Sequence, residues 1–133
     1  MSAITLKRIP FDELMAASHN IWRNTETADK IAFDAVQIIN RTYARRFSFF
    51  NGKTSRSIVG GLYYLLGFRY NATKRQVEIA DKLGTSDVSI RKSYRLWLEA
   101  FPDLFLDVIG KLAENKDLQS YVLLSLYQKS IQA

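Results

Sequence analysis

The stretch TKRQVEIADKLGTSDVSIRKSYRLW, Thr73 to Trp97, decides the fold. Its first four residues, Thr73 to Gln76, have capping-box form, with Thr73 and Gln76 placed to satisfy each other's backbone amides. They predict a short fourth helix ending at Leu83. Gly84 is the left-handed residue that stops it. Ser86 caps a fifth helix, with Asp87 in its first turn. Ile90, Tyr94, Trp97, Leu98 and Phe101 form the inward stripe of that helix. Ala80 lies four residues before Gly84, and Ile90 lies six after it. A small residue at 80 lets the two helices cross closely, Gly84 takes the positive φ of the turn, and Ile90 plugs the angle between them. This is the pattern of a DNA-binding helix-turn-helix over residues 73–101, although an ordinary helical hairpin shares each feature.

The outward face of the fifth helix adds chemistry. Val88, Arg91, Lys92, Arg95 and Glu99 fall opposite the apolar stripe. Three cations are normal for a solvated face. A bare valine at the helix start is not, unless a neighbouring loop covers it. In a groove reader Val88 packs on a thymine methyl, while Arg91 reaches guanine O6 and N7. Lys92 and Arg95 then meet phosphates, as do Lys74 and Arg75 from the start of the fourth helix and Ser86 from the start of the fifth.

Working outward, the chain reads as helix almost throughout. Pro10 suits a first helical turn, with Asp12 and Glu13 near its positive end. Leu14, Ala17, Ser18, Ile21 and Trp22 share one face. A second helix starts near Thr27, with Ile31, Ala35, Ile38, Ile39 and Thr42 inward and Lys30, Asp34, Gln37, Arg41 and Arg45 outward. Asn51-Gly52 marks a turn, and Thr54 or Ser55 caps a third helix. Ile58 to Phe68 is apolar on every side, as a core helix is, with a short buried strand as the rival reading. Gly60 and Gly61 within it cost about 1 kcal/mol each against alanine, which points to close approach by neighbouring helices. Pro102 starts a further helical piece to about Ala113. Asn115 or Asp117 starts the last, which carries Tyr121, Val122, Leu124 and Leu126.

Composition bounds the function. The 133 residues suit one domain. No cysteine is present, which excludes disulfide scaffolds, thiol catalysis and cysteine-based zinc sites. A single histidine, His19, argues against a His-rich metal site or a Ser–His–Asp triad. The net charge is +6. Residues 1–27 are net zero, residues 28–101 net +7 and residues 102–133 net −1, so a polyanion site is expected in the middle segment. The N-terminal stretch lacks a signal-peptide core, and the longest nonpolar run, eleven residues, is too short to span a bilayer. The cytoplasm or nucleoid, or the nucleus in a eukaryote, is the expected compartment, with no membrane partner.

At these residues the sequence resembles a known family. SDVSIRKSYRLW, followed by FPDLF, resembles the end of the second cyclin-like repeat of transcription factor IIB and archaeal transcription factor B. GKTSRSIVGGLYYLLGF resembles the family's GRSP segment and its alanine-rich central helix, and TKRQVEIADKLGTSDVS the helix-turn-helix that follows. The likeness covers roughly residues 10–105 and is specific from Gly52 to Phe105. It implies an all-α, five-helix cyclin-like fold with a C-terminal helix-turn-helix over residues 1–105. Residues 106–133 would then supply two extra helices packed on the same domain. It also implies that the last two helices of the repeat read a promoter element in the major groove. The family's base-reading valine and arginine match Val88 and Arg91, and its neighbouring arginine matches Arg95, where a backbone contact is implied.

The departures from the family are as informative. There is no cysteine for its zinc ribbon and room for only one of its two repeats. Recruitment of polymerase by the family's route is therefore not expected. TATA-binding protein, or another transcription protein, is a candidate partner. The last thirty residues have no counterpart in the family. They read as a cap on the side where a sister repeat would pack, or as a homodimer contact.

Other signals lead nowhere. Gly52-Lys53-Thr54 resembles the end of a P-loop, but the required earlier glycine is Phe47 and no strand precedes it. The carboxylate pairs Asp12 with Glu13 and Asp103 with Asp107 read as helix-start and surface charges. Phe47, Phe49 and Phe50 read as a seal on the core rather than a single-strand stacking platform. No catalytic constellation is present, so no enzymatic activity, cofactor or metal is expected. The reading is sequence-specific binding of double-stranded DNA in transcription initiation or its regulation. The alternative is a cyclin-fold protein-interaction adaptor without specific DNA binding.

Overall fold

Eleven consecutive buried residues, Ile58 to Phe68, organise the chain. In the computed structural model, which describes residues 9–114, they form most of a helix rather than a strand. Six α-helices are present among the described residues, and no strand. They are α1 (Phe11–Ile21), α2 (Thr25–Arg45), α3 (Ser55–Arg69), α4 (Gln76–Leu83), α5 (Asp87–Ala100) and α6 (Leu106–Glu114). Short 3-10 turns cover Phe47–Phe50 and Pro102–Phe105. No helix among the described residues is long and apolar enough to cross a membrane.

Helix α3 is the hub. It packs against α2, α4, α5 and α6. It also reaches α1, where the buried Tyr63 hydroxyl donates to the Leu14 carbonyl at 2.5 Å. That burial pushes the Tyr63 phenol far above its ordinary range. The closest neighbour is α5, and the two glycines of α3 explain why. A methyl group on Gly60 would run into the Ile90 side chain, and one on Gly61 into Ser93 and the Tyr94 backbone. The helix-propensity cost of these glycines is offset by the closeness of that crossing. Trp97 spans the same contact by donating its indole N–H to the Ile58 carbonyl at 3.0 Å.

Local signals start most helices. The Asn24 side chain accepts from the Thr27 amide at 3.0 Å, so α2 begins at Thr25, two residues before the expected start. Thr54 caps α3 through the Ser57 amide at 3.2 Å. Phe49 and Phe50 are buried against Trp97 and Phe101, which seals the core beneath the α2–α3 connection.

Charged side chains then tie distant segments together. Arg69 pairs with Asp34 at 3.0 Å and Asp107 at 2.9 Å, and it donates to the Leu104 carbonyl. Arg45 pairs with Asp103 at 2.9 Å. Asp103 and Asp107 are thus half-exposed helix-start charges, as expected, and each is also paired with an arginine. The helix expected from Asn115 or Asp117 onward, and with it the choice between cap and dimer contact, lies outside the described residues.

Candidate nucleic-acid interface

Helices α4 and α5 are joined by three residues, and the backbone of the joint follows from Gly84. Its φ of 70° and ψ of 40° are left-handed, a conformation that costs a side-chain-bearing residue about 1–2 kcal/mol. The reversed chain lets the Thr85 amide return to the Ala80 carbonyl at 2.9 Å. Arg56 of α3 donates to the Gly84 carbonyl at 3.3 Å. Ala80 is buried, and Ile90 of α5 is fully buried with its side chain against Gly60 of α3. Positions 80 and 84 thus carry the small residue and the left-handed turn, while the contact shown for Ile90 is with α3.

The start of α4 differs from expectation. Thr73 and Gln76 do not form a capping box. The helix begins at Gln76, and the Glu78 carboxylate accepts from the Arg75 amide at 3.2 Å. An arginine side chain offers no acceptor, so only this half of the exchange exists. Glu78 also pairs with the Arg75 guanidinium at 3.2 Å. The hydrogen bond from the Arg75 backbone, then that from its side chain, holds the Glu78 carboxyl below its ordinary range.

The start of α5 follows the sequence. Ser86 Oγ accepts from the Ser89 amide at 3.1 Å and donates to Ser89 Oγ at 3.0 Å. Its hydroxyl is therefore taken up by the cap. Asp87 sits in the first turn, beside the positive end of the helix.

Beyond the cap, one face of α5 carries the proposed readers. Val88 is 44% exposed among the described residues. Arg91 follows one turn later, half-buried, with Lys92 exposed beside it. Arg95 is half-buried, and its Nε is buried without a hydrogen-bond partner. Among the described residues no carboxylate lies within 4 Å of the charged nitrogens of Arg91, Lys92, Arg95 or Lys74. Arg75 is the exception among the proposed phosphate contacts, because Glu78 already balances it.

Two neighbouring features were not visible in the sequence. A cavity of about 340 Å³ at the far end of α5 is lined by Arg46, Ser48, Lys53, Leu96 and Glu99. A larger one, about 470 Å³, lies between α4 and the corner joining α1 to α2, where Arg23 and Lys82 meet Lys74. No periodicity links residues 23 and 82, so no sequence signal pairs them.

No family model matches the chain, and no curated protein or solved structure is significantly similar to it.

Proposed function

We propose that the protein binds double-stranded DNA sequence-specifically through α4 and α5. In this reading it carries a cyclin-like repeat related to that of transcription factor IIB and acts in transcription initiation or its regulation. The observation that carries the reading is the bare Val88 beside an Arg91 with no carboxylate partner, on the face of a helix whose other side is fully buried. An exposed valine is by itself ordinary on a helix surface, as Val77 and Leu96 show, but beside Arg91 it offers a thymine methyl an apolar contact next to a base-reading guanidinium. The ring of helices around α3, whose Ile58 to Phe68 are all buried, supports a cyclin-like repeat, and the Gly84 turn supports a helix-turn-helix.

In the mechanism α5 enters the major groove. Val88 and Arg91 choose sequence. Lys92 and Arg95 hold the backbone on either side, and Lys74 and Arg75 hold it from the start of α4. Arg75 releases Glu78 to do so, and Ser86 contributes only what its cap leaves free. One helix reads a few base pairs and binds weakly, so useful specificity comes from TATA-binding protein, another transcription protein or a second copy.

The test is a selection from randomised duplex DNA near physiological salt, with wild type and Arg91→Ala in parallel. The expected result is an enriched motif that degrades at one position in the variant. Binding without enrichment, steep in salt, means charge attraction alone and turns attention to the adaptor reading.

A further inference from the structure

The cavity between α4 and the α1–α2 corner holds an unexplained concentration of charge. Arg23, Lys74 and Lys82 all line it, and none has a carboxylate within 4 Å of its charged nitrogens among the described residues. The one carboxylate in its lining is Glu78, which is held chiefly by Arg75 through both the backbone and the guanidinium and only secondarily feels the charge of Lys74. Cations that line one cleft repel each other, and the cost is relieved by an anion seated between them.

The walls of the cleft are rigid. Trp22 is buried and donates its indole N–H to the Ala72 carbonyl at 2.7 Å. Asn20 donates to the Lys82 carbonyl at 3.2 Å, which clamps the end of α1 to the last turn of α4. The Asn24 side chain is taken up by its cap on α2. Asn20 and Asn24 are thus engaged by backbone groups, and the three cations supply the positive charge that a ligand in the cleft would meet.

We infer that this cleft is a phosphate seat for the DNA backbone, extending the contact surface from α5 across α4 to Arg23. The inference rests on the DNA-binding reading. Lys74 joins the two regions, because it belongs both to the cleft and to the proposed contacts at the start of α4. The cleft holds one strand beside the groove that α5 occupies, and it carries no base specificity. A free phosphate-bearing small molecule presents the same chemistry, so the test separates the two sources.

The experiment measures affinity of the full chain for the selected 30-base-pair duplex and for a scrambled duplex of the same length across a range of sodium chloride, for wild type, Arg23→Ala/Lys82→Ala and Arg91→Ala. Both cleft residues lie outside the base-reading face, and far-UV circular dichroism checks that the double variant is folded. Each lost phosphate contact lowers the salt slope by about 0.9. The double variant is expected to lose between about 0.9 and about 1.8 of slope, and to lose affinity equally on every sequence. An unchanged slope in the double variant overturns the seat, while a motif still weakened by Arg91→Ala would keep the reading of α5. A reduced slope with no effect of Arg91→Ala on sequence choice keeps the seat and sinks the base-reading assignment. A parallel titration with inorganic phosphate follows the amide resonances of Arg23 and Lys82. Saturation below millimolar phosphate together with an unchanged duplex slope assigns the cleft to a small ligand and overturns the backbone seat.

Discussion

Gly61 and Ser93 meet with no room for a methyl group between them. A Cβ on Gly61 would overlap the Ser93 side chain and lie 2.6 Å from the Tyr94 backbone nitrogen. Backbone on a packed helix does not yield as a side-chain tip does. The neighbouring Gly60 faces side chains alone, the end of Ile90 and, at ordinary contact distance, that of Leu83, and a side-chain end can rotate away. Gly61→Ala is therefore expected to destabilise by about 1–3 kcal/mol, whereas Gly60→Ala loses less, because alanine's better helix propensity returns about 1 kcal/mol. Urea denaturation of the two variants checks the order. Equal losses would mean that α5 does not sit against α3 as described.

The Arg69–Asp107 pair predicts an acid-dependent loss of stability. Burial raises the Asp107 pKa, but the hydrogen bonds and charge of Arg69 outweigh it, and the carboxyl lies below its ordinary range. The unfolded chain therefore takes up this proton more readily, near the aspartate reference of about 3.9. The stabilisation is complete above that pH and is lost as pH falls through the lower, folded-state value. Asp107→Asn is expected to lower Tm at pH 7 and to show a shallower further decline below about pH 4. A wild-type Tm at pH 7 in that variant would show that solvent screens the pair to nothing.

Arg95 is expected to serve stability and binding in opposite directions. Its Nε is buried without a hydrogen-bond partner, an arrangement that costs about 1 kcal/mol or more. Arg95→Met keeps the aliphatic stem and removes that group, so the folded state gains up to about 1 kcal/mol. Duplex affinity falls in the same variant, with a salt slope smaller by about 0.9. Thermal denaturation and binding on one preparation test both signs. A variant that loses both stability and binding would make Arg95 a structural residue.

Base readers and backbone holders should separate in a mutant pair. Arg91→Ala is expected to cost about 1–3 kcal/mol on the preferred duplex and little on others. Lys74→Ala weakens all duplexes alike and reduces the salt slope by about 0.9. Competition binding against a panel of single-base variants of the selected site measures both. Uniform losses for both variants would refute the division of labour between α5 and the start of α4.

The helices were legible wherever the signal is local. Buried and exposed positions alternate along α2 and α5 with the helical period, and Gly84 and Ser86 take the turn and cap roles that their chemistry suits. The start of α4 departs from the local signal. Glu78 reaches the Arg75 amide, and the Thr73–Gln76 exchange is not made. The outward face of α5 was legible for the same reason as its inward stripe, since both follow from the spacing of Val88, Arg91, Lys92 and Arg95 on one helix.

What escaped the sequence was every relationship that needs two segments in register. Asp34, Arg69 and Asp107 are spread over 74 positions, and no pattern predicts that one guanidinium bridges the other two. The convergence of Arg23 on Lys74 and Lys82 is of the same kind. By itself the sequence determined which segments are helical, which face of each is buried and which residue turns the chain at Gly84, because those depend on hydrogen bonds and side chains within a few residues. Only the tertiary structure decided which charges neutralise each other and which stay free to meet a partner, because Coulomb interactions depend on distance through space, and packing on α3 sets that distance.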